Sequence, residues 1–419
     1  MAESKEQKLW QACTDGDLET VKELADDPAV DLNWGDPEFG RTPFYRACGH
    51  GKLHVVEYLI RNPRVDVTKT HNVEATPFSI SCQGGHKEVV SLLLADPRVD
   101  PNKPRDTGGT PFFMACQNGH EEVVSLLLAD PRIDPNKPQN DEATPFYVAC
   151  QNGHKEVVVL LLADSRVDIE KPWNDGATPL YMTCQQGHRE IVSMLLADPR
   201  VEPNQPANSG ATPFFVASEN GHKEVISLLL ADPRIDPNLP KINQTSPLWQ
   251  ISQNGHLPVI QHLLASERDI NTRKRSTFNE KTASEQGRRQ PSVPKSTGET
   301  EEVFQRRKTY GPVCADLIDE YERDPVTVRN RLRRQPGLRE YFAGHLFALV
   351  VFHSDNFVAI NERTAHSDTK RFFTITSQLP LDLQMVLCNR IFGSSKDIIV
   401  SRNSEPGFRL LARTTTFQQ

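Results

Sequence analysis

Apolar residues in this chain fall into short blocks at helical spacing, and the blocks return at a fixed interval. Val89–Leu94, Val123–Leu128, Val157–Leu162, Ile191–Leu196 and Val225–Leu230 are each offset from the next by 34 residues. The same interval relates Thr42-Pro43, Thr76-Pro77, Thr110-Pro111, Thr144-Pro145, Thr178-Pro179, Thr212-Pro213 and Ser246-Pro247, and also the glycines from Gly51 to Gly255. A degenerate first copy, Lys8–Cys13 followed by Gly16 and Val21–Leu24, makes eight units.

Each unit predicts a helix–turn–helix. Thr110 is placed to cap open amides, and Pro111 occupies the first helical position, where its missing N–H costs nothing. Gly119 closes that first helix in the left-handed conformation. In the second helix Glu121 and Glu122 occupy the first turn, which favours acids, and Val123, Val124, Leu127 and Leu128 form one apolar stripe. Pro131 cannot continue it, and Asp134–Pro138 leads out as an extended arm. Two short helices cannot hide their stripe alone, so the units must stack around a shared core.

The residues Gly108, Thr110-Pro111-Phe112-Phe113, Ala115-Cys116, Gly119-His120, Val123-Val124, Leu126–Leu128, Asp134 and Asn136 resemble the ankyrin repeat, and the match recurs in register over approximately residues 3–271. The resemblance implies an all-α, ankyrin-type solenoid with short hairpin loops, whose concave face grips a partner protein. Three features depart from the family pattern. Asp-Pro-Arg, as in Asp96-Pro97-Arg98, replaces the helix-terminating Gly; aromatics such as Tyr45 and Trp249 replace the His of Thr-Pro-Leu-His; and Glu74, Glu142 and Gln244 stand where a hairpin Gly is expected. Those three tips are expected to use another turn type.

The aromatics Phe113, Tyr147, Tyr181 and Phe215 are candidate partner-binding residues, since aromatics dominate interface hot spots; alternatively their rings fill space between units. Trp173, among polar residues on a hairpin, is the sharper candidate. Cys48, Cys82, Cys116, Cys150 and Cys184 form a column that stacked helices ~8–10 Å apart hold too far apart for disulfides, so they read as buried thiols. The His86–His222 column is likewise structural, because metal ligands must converge on one ion. Arg64, Arg98, Arg132, Arg166, Arg200 and Arg234 each precede an acid by two residues and are expected to pair along the stack, with acidic-partner or phosphate binding as the alternative.

Charge sharpens the choice of partner. Residues 1–270 carry 24 Lys and Arg against 38 Asp and Glu, residues 271–310 carry 10 against 5, and residues 311–419 carry 14 against 12. An acidic repeat region is a poor match for nucleic acid and favours a basic protein partner. No phosphate loop, dinucleotide fingerprint, zinc-protease motif, Cys-x-x-Cys or nucleophile elbow occurs, so the chain reads as a non-enzyme with no catalytic residues, metal or cofactor. The polar start is unlike a secretory signal, and the run Tyr341–Phe352 is shorter than the ~18–20 residues of a membrane span. A cytoplasmic location, with the nucleus as a second site, is therefore expected.

Beyond the repeats, residues 272–308 read as a disordered basic linker. Its Arg and Lys clusters resemble a split nuclear-localisation signal, and Ser276 and Ser292, each with Arg three residues before it, suit basophilic kinases. Residues 309–419 read as a separate helical domain, with a helix from Asp324-Pro325 to Arg334, a central one over Leu338–Phe352, and further ones at Arg371–Ser377, Leu381–Phe392 and Glu405-Pro406. Leu379–Gln384 resembles the start of an F-box or part of a SOCS box, which implies a ubiquitin-ligase substrate adaptor as the alternative to a plain scaffold.

Overall fold

Thr-Pro pairs start the inner helices as the chemistry requires. The amides of Tyr45, Ser79, Phe113 and Tyr147 donate to the hydroxyls of Thr42, Thr76, Thr110 and Thr144 at 3.0–3.1 Å, with proline in the first helical position each time. These contacts come from a computed structural model, which describes residues 4–343, 346, 347, 384 and 388. Among the described residues every element is helical. The chain forms two compact units, Met1–Thr183 and Cys184–Gln419.

In the first unit, helices α1 (Lys5–Asp15), α3 (Pro43–Gly49), α5 (Pro77–Gln83), α7 (Pro111–Asn118) and α9 (Pro145–Asn152) pack side by side as an inner row. An outer row is made by α2 (Leu18–Asp26), α4 (Leu53–Leu59), α6 (Lys87–Leu94), α8 (Glu121–Leu128) and α10 (Lys155–Ala163). Between the rows, Phe78, Val90, Leu93, Phe112, Val124, Leu127, Phe146, Val158 and Leu161 are buried. Burying one such side chain contributes about 1.5–3 kcal/mol, so the shared core, more than the intrinsic propensity of helices this short, holds them. Helix α11 (Pro179–Gln186) carries the chain from one unit into the other.

The second unit continues with outer helices α12 (Arg189–Ala197), α14 (Lys223–Ala231) and α16 (Leu257–Ala265), and inner helices α13 (Pro213–Asn220) and α15 (Pro247–Asn254). Helix α17 (Ala283–Arg289) then packs on α15, the long α18 (Glu301–Arg323) packs on α15, α16 and α17, and α19 (Pro325–Arg333) packs on α16. Residues 272–308, expected as a disordered linker, thus contain α17 and the first turns of α18, and the domain boundary expected at 308/309 falls inside a continuous helix.

The physical reason is that this helix pair meets through backbone rather than through large apolar side chains. Ala283, Ser284, Gln286 and Gly287 form the buried face of α17. A Cβ on Gly287 would stand 2.5 Å from the Gly311 carbonyl oxygen, and one on Gly311 would stand 2.8 Å from that of Gly287. Thr282 and Glu285 close a capping box at the helix start. Arg307, buried, holds the connecting segment: it donates to the carbonyls of Val293 at 3.2 Å and Pro294 at 2.8 Å and pairs with Glu299 at 2.6 Å. That pairing holds the Glu299 carboxyl down at about 2.

Asp324 caps α19, as expected, by accepting from the Thr327 amide at 3.0 Å. Residues 338–343 are helical, and Tyr341 donates its hydroxyl to the Ser227 carbonyl at 3.0 Å. The remaining expected helices and the Leu379–Gln384 block lie outside the described residues, Gln384 and Cys388 excepted.

Candidate partner-binding surface

Hairpin tips precede the inner helices, and within each unit backbone hydrogen bonds tie neighbouring tips together. In the first unit the amides of Asn72, Asp106 and Asn140 donate to the carbonyls of Phe39, Val73 and Thr107 at 3.0, 3.4 and 2.9 Å. In the second, Ile242 and Thr277 donate to Ser209 and Asn243 at 3.1 and 3.0 Å. Glu74, Glu142 and Gln244 adopt φ of +56°, +67° and +57°, close to the +73° and +82° of Gly40 and Gly108. The expectation of a different turn type is therefore corrected: the tip keeps its left-handed residue, at a cost of about 1–2 kcal/mol for a residue with a Cβ. Glu280, φ +55°, marks one more tip, and with it a ninth unit beyond the eight units counted from sequence.

Loops beneath the tips are laced by an asparagine ladder. The side-chain amides of Asn102 and Asn136 donate to the carbonyls of Arg132 and Arg166 at 2.7 and 2.6 Å, and Asn238 donates likewise to Asp269 at 2.7 Å. Such bonds, each worth about 1 kcal/mol net, hold successive tips in register.

The three side-chain columns are structural. His86, His120 and His154 place Nε2 at 3.0, 2.7 and 2.9 Å from the carbonyls of Gly49, Gln83 and Gln117 in the preceding repeat. Arg98, Arg132 and Arg166 do form ion pairs, but with the acids two residues before them, Asp96, Asp130 and Asp164, at 2.6–2.7 Å. The acids two residues after them cap turns instead, as Asp100 does for the Asn102 amide. The same guanidiniums reach back to carbonyls at the ends of the preceding outer helices: Arg132 to Leu94 at 2.9 Å and Arg166 to Leu128 at 2.7 Å. Asp-Pro-Arg thus satisfies helix-end carbonyls that a terminal Gly motif would otherwise serve. The cysteines are free thiols, buried, and pushed well above their ordinary pKa by that burial.

Of the aromatic candidates, Phe113, Tyr147 and Phe215 are buried and fill space between repeats, so their rings are not presented to a partner. The Lys241 ammonium, 4.4 Å from the Phe215 ring centre, covers that ring. Trp173 is half-buried and packs against the buried cluster that holds Phe113, Met114, Ala143, Tyr147, Val148 and Met182, its ring centre 6.0 Å from that of Tyr147. The Trp173 indole nitrogen and the Tyr147 hydroxyl are both buried without a hydrogen-bond partner. Trp173 and Tyr181 alone of the five keep an exposed edge.

What the tips do expose is different. In the first unit Glu38, Glu74, Asp106, Glu142 and Asp175 are exposed beside Phe39 and Val73. In the second, Ile242 and Phe278 are 73% and 75% exposed. Sequence reasoning passed over these apolar tips; the available signal was an apolar residue where neighbouring repeats carry Asn208-Ser209 or Asn174-Asp175.

No described helix is long and apolar enough to cross a membrane. The family model described as ankyrin repeats (3 copies) matches in overlapping stretches, at residues 9–105, 63–139, 112–207, 162–241 and 197–275. No curated protein matches the chain.

Proposed function

Because this chain belongs to the ankyrin repeat family, a family of protein–protein interaction modules, we propose that it is a cytoplasmic scaffold that holds a partner protein along its hairpin tips and the adjoining inner helices, the concave side in the family. The observation that carries this reading is the first unit's row of exposed, acid-bearing tips fixed to one another by backbone hydrogen bonds. A surface already rigid loses little conformational freedom when it binds. Its acids favour a basic partner segment through complementary charge, and Trp173 and Tyr181 border it with the aromatic edges that remain outside the core. Free thiols at all eight cysteines fit a reducing compartment. Catalysis has no part in this reading.

Photo-crosslinking in cells with the full chain tests it. A crosslinker placed at Glu74, Glu142 or Tyr181 is expected to capture one and the same protein, whereas one at Glu121 on an outer helix captures none of it. Capture from Glu121 alone would overturn the reading.

A further inference from the structure

The geometry points to a second docking surface of opposite polarity in the second unit: the adjacent tips bearing Ile242 and Phe278 accept an acidic, apolar-anchored segment of a partner protein. This inference rests on the proposal that the tips bind protein and adds the chemistry of what one pair of them takes. Ile242 and Phe278 are the most exposed large apolar side chains among the described residues. They lie on either side of one inter-tip hydrogen bond, Thr277 amide to Asn243 carbonyl at 3.0 Å, since Ile242 precedes the acceptor and Phe278 follows the donor. Most of each side chain stands open to solvent on an otherwise polar hairpin edge, and large apolar side chains left exposed on neighbouring tips mark an interaction surface.

The charge around the pair selects the partner. The stretches 238–246 and 271–282 hold Lys241, Arg273, Lys274, Arg275 and Lys281 against a single acid, Glu280. Arg275 and Lys281 flank the Phe278 hairpin, whose stem is closed by the Ser276 amide donating to the Lys281 carbonyl at 3.0 Å. Arg275 pairs with Glu285 at 3.1 Å and Lys241 with Glu219 at 3.3 Å, while the Arg273–Glu322 contact is long, at 3.8 Å. Counted with Glu280 and with the acids that pair with them, Glu219, Glu285 and Glu322, the five cations still exceed the four acids by one, so the surroundings of the apolar pair lean positive where the first unit's tips carry exposed acids. A segment carrying Asp or Glu beside Leu or Phe meets both features at once, and desolvated apolar anchors ringed by complementary charge are what concentrate binding energy at interfaces.

The test uses the full chain and two short synthetic peptides that share Leu and Phe positions, one with Glu at every other position and its twin with Lys there. The acidic peptide is expected to bind at least about tenfold more tightly than its twin, a difference of about 1.4 kcal/mol, and less tightly as salt is raised. The paired substitution Ile242→Ser and Phe278→Ser, on exposed side chains that leave helical content unchanged, is expected to weaken that binding about tenfold. Equal or tighter binding of the basic twin overturns the inference, as does an acidic peptide that binds the paired variant like wild type. Concentration-dependent self-association that the paired variant abolishes overturns it too, because the occupant would then be a second copy of this chain. Any of these results combined with unchanged crosslinking from Glu74 and Glu142 removes this inference alone and leaves the scaffold reading standing.

Discussion

His154 Nε2 lies 2.9 Å from the carbonyl oxygen of Gln117, 37 residues earlier in the chain. A carbonyl only accepts, so Nε2 carries the proton, and the imidazole at the head of α10 closes the end of the inner helix in the repeat before it. Gly119 makes the approach possible, because a Cβ there would stand 2.4 Å from His154 Nδ1.

His154→Ala leaves the Gln117 carbonyl without this donor and is expected to destabilise the protein by about 1–2 kcal/mol. Since repeats support one another through nearest-neighbour contacts, the loss falls on coupling as well as on local stability. Urea unfolding followed by circular dichroism should show a lower midpoint and a broader transition. An unchanged curve would show that the bond contributes nothing to cohesion.

His256 makes the same contact with Glu219, at 2.9 Å, but in a more enclosed place. Burial, reinforced by the nearby Arg306, lowers its pKa to about 4. An unfolded histidine takes up its proton near pH 6.5, so between about pH 6.5 and 4 the unfolded chain binds more protons than the folded one. Stability contributed by neutral His256 is therefore present above that window and lost as pH falls through it, by at most about 3 kcal/mol. His256→Gln keeps a donor and should flatten this part of the urea-midpoint-against-pH profile. A profile as steep as wild type would assign the acid sensitivity to other groups.

Trp173 separates packing from recognition. Its ring packs on Tyr147 and the buried cluster around it, so Trp173→Ala is expected to cost about 2 kcal/mol of stability through the space it opens, with Trp173→Phe recovering most of it. Calorimetry on the two variants checks this. A Trp173→Ala protein as stable as wild type would mean that the ring serves only a partner.

Repeat architecture was legible from the sequence because the features that build it are local: Thr-Pro for a helix start, Gly for its end, a Val-Val and Leu-Leu stripe for the face. The last tip, at Glu280, and α17 were hidden for the opposite reason. Thr282-Ala283 lacks the proline, and the buried face of Ala, Ser, Gln and Gly reads as polar, although Gly287 and Gly311 bring two helix backbones together. The arginine column showed its period but not its partners, since from Arg98 to Arg234 each guanidinium has an acid two residues away on either side and only the direction of the turn selects Asp130 over Asp134 for Arg132. The binding surface was least legible. Aromatic identity drew attention to Phe113, Tyr147 and Phe215, which lie in the core, whereas exposure, a property of the folded edge, singles out Ile242 and Phe278.

The column of buried cysteines gives the molecule a set of internal reporters. Cys48, Cys82, Cys116, Cys150 and Cys184 sit one to a repeat, each sealed from solvent and held as an unreactive thiol by its surroundings. An alkylating reagent can reach a given sulfur only when that repeat loosens, so the order in which the thiols become labelled is a direct record of where the stack comes apart first.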